Sequence, residues 1–138
     1  MTDLPLTGGC LCGGVRFEVT EPLLFASYCH CTRCQRRSGT AASAQARVAP
    51  GSLRVTAGEK LMHAYDPPGG GFSKLFCSTC GSALWSRDPH DHETISVRLG
   101  AFDSDPGVRP AWHQFVAYAA PWEPLPDDGL PRYPERKP

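Results

Sequence analysis

What this chain lacks narrows its function first. It has no excess of charge: 14 Lys and Arg offset 14 Asp and Glu, so the long-range field that draws a protein to nucleic acid or an anionic membrane is missing. No apolar run approaches the roughly 20 residues that cross a bilayer. The opening residues, Met1-Thr2-Asp3-Leu4-Pro5, have neither the basic start nor the apolar stretch of a secretion signal. There is no internal repeat, no linker, and no amphipathic helix longer than two turns. The expectation is one soluble, cytoplasmic domain over residues 1–138, its core between about 8 and 133, with no nucleic-acid or membrane partner.

What it does have is cysteine in tight groups. The seven cysteines, an odd number, fall as Cys10 with Cys12, then Cys29, Cys31 and Cys34, then Cys77 with Cys80. Disulfide frameworks staple distant loops, whereas close groups on turns suit one metal ion. Zinc, which takes thiolates and imidazoles tetrahedrally, is the metal expected.

Between these groups the pattern is β-rich. Val15, Phe17 and Val19 alternate with Arg16, Glu18 and Thr20, the period of a half-buried strand. Further strands are expected at Leu23 to Tyr28, Thr40 to Val48, around Leu53 and Val55, from Leu61 to Tyr65, at Lys74 to Phe76 and Ala83 to Trp85, over Thr94 to Leu99, and at Trp112 to Val116. Residues before Gly8 read as an unstructured lead-in ending in the turn pair Gly8-Gly9. Gln35 to Gly39 reads as one helical turn at most, and Asp66 to Gly71 as an exposed loop, a connector or a lid. The proline-rich tail from Pro121 reads as an extended wrap. The fold class is all-β, mainly antiparallel.

Cys10-Leu11-Cys12-Gly13 and Cys77-Ser78-Thr79-Cys80-Gly81 are two knuckle-like half-sites. Together they make a closed four-thiolate set, which is a structural zinc site. Cys29, Cys31 and Cys34 remain, one ligand short of closure. A fourth soft ligand suits them, either a substrate thiol, which metal coordination would deprotonate at neutral pH, or a histidine from His30, His63, His90, His92 and His113. Metal-free oxidation of the three thiols is a further possibility. Arg33, Arg36 and Arg37 lie beside this group, either as a clamp for the carboxylates of an anionic thiol or as solvated surface. Trp112 and Trp122 read as core or wrap residues rather than as a platform for a ligand.

With these motifs in place the chain resembles the glutathione-dependent formaldehyde-activating enzyme family, whose domain also occurs in centromere protein V. The matching stretches are Gly9-Cys10-Leu11-Cys12-Gly13, Cys29-His30-Cys31-Thr32-Arg33-Cys34 with Ser38-Gly39, and Phe76-Cys77-Ser78-Thr79-Cys80-Gly81, with Arg109-Pro110 and Ala120-Pro121-Trp122 later. The resemblance runs from Gly8 to Tyr133. It implies a small β-tent fold built around zinc knuckles, with two zinc ions per chain. One would be structural on Cys10, Cys12, Cys77 and Cys80. The other, on Cys29, Cys31 and Cys34, would be the catalytic site where glutathione and formaldehyde combine to S-hydroxymethylglutathione, a carbon–sulfur lyase reaction in reverse. The expected enzyme uses a small thiol and a small aldehyde, with Arg36 or Arg37 orienting the thiol's carboxylate. The alternative is a non-catalytic, zinc-stabilised binding or scaffold module with both sites structural.

Overall fold

The computed structural model describes residues 3–138. Among them the chain forms β1 (Leu6–Gly9), β2 (Arg16–Val19), β3 (Phe25–Cys29), α1 (Thr32–Ser38), β4 (Ser43–Arg47), β5 (Leu53–Ala57), β6 (Met62–Tyr65), β7 (Ser73–Cys77), β8 (Ala83–Asp88), β9 (Asp91–Arg98) and β10 (Pro110–Gln114). The strands build a small sheet in the order β1-β2-β5 and a large one in the order β10-β3-β4-β9-β8-β7-β6. All neighbouring strands are antiparallel except β10, which lies parallel to β3 with His113 beside Tyr28 and Gln114 beside Cys29. The all-β, mainly antiparallel class expected from the sequence is the one observed.

The alternation in β2 puts Phe17 and Val19 inward, at 1% and 0% exposure. The Phe17 ring meets Trp85 of β8 edge-on at 5.4 Å and Phe102 at 5.7 Å. The core thus lies where the small sheet packs on β8 and its neighbours, with Val15, Leu84 and Val97 also sealed in it. Burying an aromatic or large aliphatic side chain of this kind is worth about 1.5–3 kcal/mol.

Three expectations change. The residues before Gly8 are not all a lead-in, because Leu6 and Thr7 pair with Val19 and Glu18, and the strand continues through Gly8 and Gly9 opposite Phe17 and Arg16. Gly8 is required by close approach rather than by a turn, since a Cβ there would lie 2.5 Å from Phe17 Cζ and 2.3 Å from the Ala101 carbonyl oxygen. The expected single turn after the three-thiol stretch is a two-turn helix that begins at Thr32, so Cys34 lies within it. The helix starts early because the Cys31 sulfur caps it, accepting from the Cys34 amide at 3.3 Å. Lastly, Trp112 is not a core residue: its ring packs tilted against Phe25, centroids 5.3 Å apart, at the edge of an open cleft, while Trp122, in the tail, is 65% exposed.

The tail does wrap. It returns alongside β10, where the His113 amide donates to the Pro131 carbonyl at 2.9 Å and the Tyr133 amide donates to the His113 carbonyl at 2.8 Å. No helix among the described residues is long and apolar enough to cross a membrane.

Candidate metal centres and the cleft beside them

Two loops bring the first four cysteines together. Between β1 and β2, the Val15 amide donates to Cys10 Sγ at 3.2 Å and the Gly14 amide to Cys12 Sγ at 3.4 Å. Between β7 and β8, Gly81 takes φ +78°, a conformation that favours glycine, and its amide donates to the Cys77 carbonyl at 2.8 Å. The loops are stitched by the Leu11 amide, which donates to Ser82 Oγ at 2.9 Å. The sulfurs of Cys10, Cys12, Cys77 and Cys80 all lie within 4.8 Å of one another. Hydrogen bonds from the Ser82 hydroxyl and backbone bring the Cys80 thiol down to about 5. Four sulfurs in a cluster this tight, with backbone amides aimed at Cys10 and Cys12, have the arrangement of a set that could hold a metal ion.

The second group forms where β3 runs into α1. Cys29 ends the strand, Cys31 caps the helix and Cys34 sits in its first turn, their sulfurs within 4.8 Å of one another. Hydrogen bonds from Cys29 and then Cys31 hold the Cys34 thiol far below its ordinary value. These three sulfurs are close enough together to hold a metal ion. Among the described residues no histidine, aspartate, glutamate or further cysteine joins them. His30 and His113 are bonded to each other at 2.8 Å instead, and His63, His90 and His92 are exposed.

The three sulfurs open on a cleft of about 780 Å³, the polar face of the large sheet. Alternation makes it so: Ala26, Ala46 and Val97 point into the core at 1%, 1% and 0% exposure, while Ser27, Gln45, Arg47, Ser96 and Arg98 beside them line the cleft. The strand register sorts these residues into rows. Cys29 stands opposite Ser43 at the three-sulfur end. One row further on lie Ser27, Gln45 and Arg98, and one row beyond that Phe25, Arg47, Ser96, Ser86 and Lys74. At the usual strand rise the two rows sit about 7 and about 13 Å from Cys29.

The cations of these rows are held in place. Arg98 donates from Nη1 to Gln45 Oε1 at 3.1 Å. Arg47 donates from Nε to Ser96 Oγ at 3.1 Å, and its guanidinium lies 5.4 Å from the Phe25 ring and 5.8 Å from the Phe72 ring. Burial lowers the pKa of Lys74, and the Cys34 charge opposes that shift.

The arginines singled out by the sequence are placed differently. Arg33 reaches the 66–71 loop, Arg36 is exposed, and Arg37 donates from Nη2 to the Leu75 carbonyl at 3.0 Å; none of the three lines the cleft. The sequence alone does not point to Arg47, Lys74 and Arg98. The signal for the two arginines is the polar parity of Gln45-Ala46-Arg47 and Ser96-Val97-Arg98, which gains meaning only through register.

Comparison with known proteins points one way. Residues 5–118 match the family described as "Glutathione-dependent formaldehyde-activating enzyme". A Halomonas elongata protein named "Putative glutathione-dependent formaldehyde-activating enzyme" is 32% identical over 108 residues, 72% of this chain and 67% of the relative. A crystal structure of a Rhodobacter sphaeroides protein superposes with a TM-score of 0.60 at 25% identity, covering 92% of this chain and 98% of that one. With both cysteine groups inside the matched span, the chain belongs to the glutathione-dependent formaldehyde-activating enzyme family.

Proposed function

We propose that the protein is a zinc-dependent enzyme that condenses glutathione, or a thiol like it, with formaldehyde or another small aldehyde. Cys10, Cys12, Cys77 and Cys80 hold a structural zinc, and Cys29, Cys31 and Cys34 hold the second. The observation that carries this reading is the cleft: three sulfurs at one end and cations in successive rows leading away from them. A zinc ion on three thiolates supplies a position at which a fourth thiol gives up its proton near neutral pH.

The chain's own residues do the rest. Arg98, about 7 Å along the sheet from Cys29, presents a guanidinium to one carboxylate of the thiol substrate. Arg47 and Lys74, about 13 Å along, meet a second. Because Gln45 and Ser96 already hold the two arginines, little side-chain freedom is lost on binding. These residues take the role the sequence assigned to Arg36 and Arg37. The substrate sulfur is thereby held at the three-cysteine end with the aldehyde carbon beside it. A carbon–sulfur bond forms, the carbonyl oxygen takes a proton, and the product is the S-hydroxymethyl adduct with nothing oxidised or reduced.

The test is adduct formation followed by NMR with ¹³C-formaldehyde, together with metal analysis. Two zinc ions per chain and a glutathione-dependent rate above the uncatalysed one are expected. A zinc-loaded protein that leaves the rate at background overturns the reading.

A further inference from the structure

Cys29 and Cys31 are separated by a residue that is tied on every side. The His30 amide donates to the Gln114 carbonyl at 3.0 Å, and its carbonyl accepts from Gln35 Nε2 at 2.8 Å. The same Gln35 nitrogen donates to the Tyr118 carbonyl at 2.8 Å. The His30 ring is 2.8 Å, Nε2 to Nδ1, from His113 on β10, and His113 Nε2 is in turn 2.7 Å from Asp128 Oδ2 in the tail. The two histidines are only 5% and 2% exposed, and Tyr28 stacks on His113 with the ring centroids 4.9 Å apart.

The direction of the last bond follows from its acceptor. The Asp128 carboxylate is held below the ordinary range, first by His113 and then by the Leu130 amide, and it can only accept. His113 therefore carries its proton on Nε2. The other His113 nitrogen, Nδ1, is the one bonded to His30 Nε2, so each ring holds the orientation of the next.

Packing alone does not account for the arrangement. Two apolar side chains could fill the same space without desolvating two imidazoles. What the histidines add is direction: a bonded chain runs from a tail residue to the residue between two of the sulfurs. We infer that Asp128, His113 and His30 form a positioning chain through which the docked C-terminal segment sets the geometry of the Cys29, Cys31 and Cys34 site. The inference rests on reading those cysteines as a metal site and is independent of the reaction catalysed there.

Cobalt(II) titration of the full-length, metal-free, reduced protein tests it. Thiolate charge-transfer and d–d bands report affinity and geometry, and a Cys34→Ala variant gives the spectrum of the four-cysteine site alone. Asp128→Ala removes the end of the chain at a residue whose side chain is 28% exposed, and Trp122→Ala serves as a tail control outside it. The expected result is that Asp128→Ala weakens the three-cysteine site about 10- to 100-fold and shifts its d–d bands. The four-cysteine site stays filled as in the wild type, which also reports that the variant is folded, and Trp122→Ala changes neither site. Wild-type affinity and bands at the three-cysteine site in Asp128→Ala overturn the positioning chain. So does equal weakening of both sites, which would make Asp128 a general stabiliser. A wild-type protein that takes up only one cobalt ion instead overturns the metal-site reading beneath it.

Discussion

The Arg33 guanidinium donates from Nη1 to the Gly70 carbonyl at 2.7 Å and from Nη2 to the Pro68 carbonyl at 3.1 Å. Arg33 lies between Cys31 and Cys34, so the helix that carries two of the sulfurs also holds the glycine-rich loop, whose end contributes Gly71 and Phe72 to the cleft wall. The choice between connector and lid acquires a physical handle in this pair. At an exposed position the two bonds are worth about 1 kcal/mol. Arg33→Ala should lower the melting temperature by only a few degrees, about 2–6 °C. It should also speed proteolytic nicking between residues 66 and 72 and raise KM for the thiol several-fold. Unchanged nicking would mean that Arg33 does not hold the loop.

Cys77 is fully buried at the end of β7, and its partners Cys10 and Cys12 follow β1. A metal held by all of them, as proposed, would tie the small sheet to the large one, and its binding free energy would become folding free energy. In small zinc-folded units that term is about 10 kcal/mol or more, comparable with a whole domain's net stability of about 5–15 kcal/mol. Cys77→Ala is expected to lose zinc and its cooperative thermal transition together. A variant that loses zinc but keeps the wild-type melting temperature would remove the structural role.

Cys31→Ala should behave in the opposite way. Its sulfur caps α1, a two-turn helix, and losing a cap costs about 1 kcal/mol. The variant should fold, retain about one zinc ion instead of about two, and show no adduct formation above background. Metal analysis beside circular dichroism checks it; two zinc ions retained would show that the second is held without Cys31.

The contrast between these two cysteines shows how far the sequence could be read. Knuckle chemistry alone pairs Cys10 and Cys12 with Cys77 and Cys80, because the local turns that present thiols are encoded within a few residues. The strand at Arg16–Val19 was equally legible from its alternation. Strand β1 was hidden because Gly8 and Gly9 carry no side-chain pattern and read as a turn. The early start of α1 was hidden because a cysteine is outside the usual capping residues. Arg47, Lys74 and Arg98 come from three strands and meet only through register between β4, β9, β8 and β7. The same holds for His30 and His113, 83 residues apart and joined by the parallel pairing of β10 with β3.

The rows of the cleft make the most specific prediction. If Arg98 and Arg47 each hold a carboxylate of the thiol, Arg98→Gln or Arg47→Gln loses a charge-assisted hydrogen bond of about 1.5–3 kcal/mol. The corresponding drop in kcat/KM with glutathione is about 10- to 100-fold. The same variants should be unaffected with 2-mercaptoethanol, which carries no charge to recognise. The two side chains have different protein partners, Gln45 and Ser96, and sit one row apart. The double variant therefore separates two geometries. Losses that add mean each arginine serves its own carboxylate. A double variant no worse than the poorer single one means both serve the same group, and the thiol then lies across the rows instead of along them. Equal losses with the uncharged thiol would remove the carboxylate role altogether.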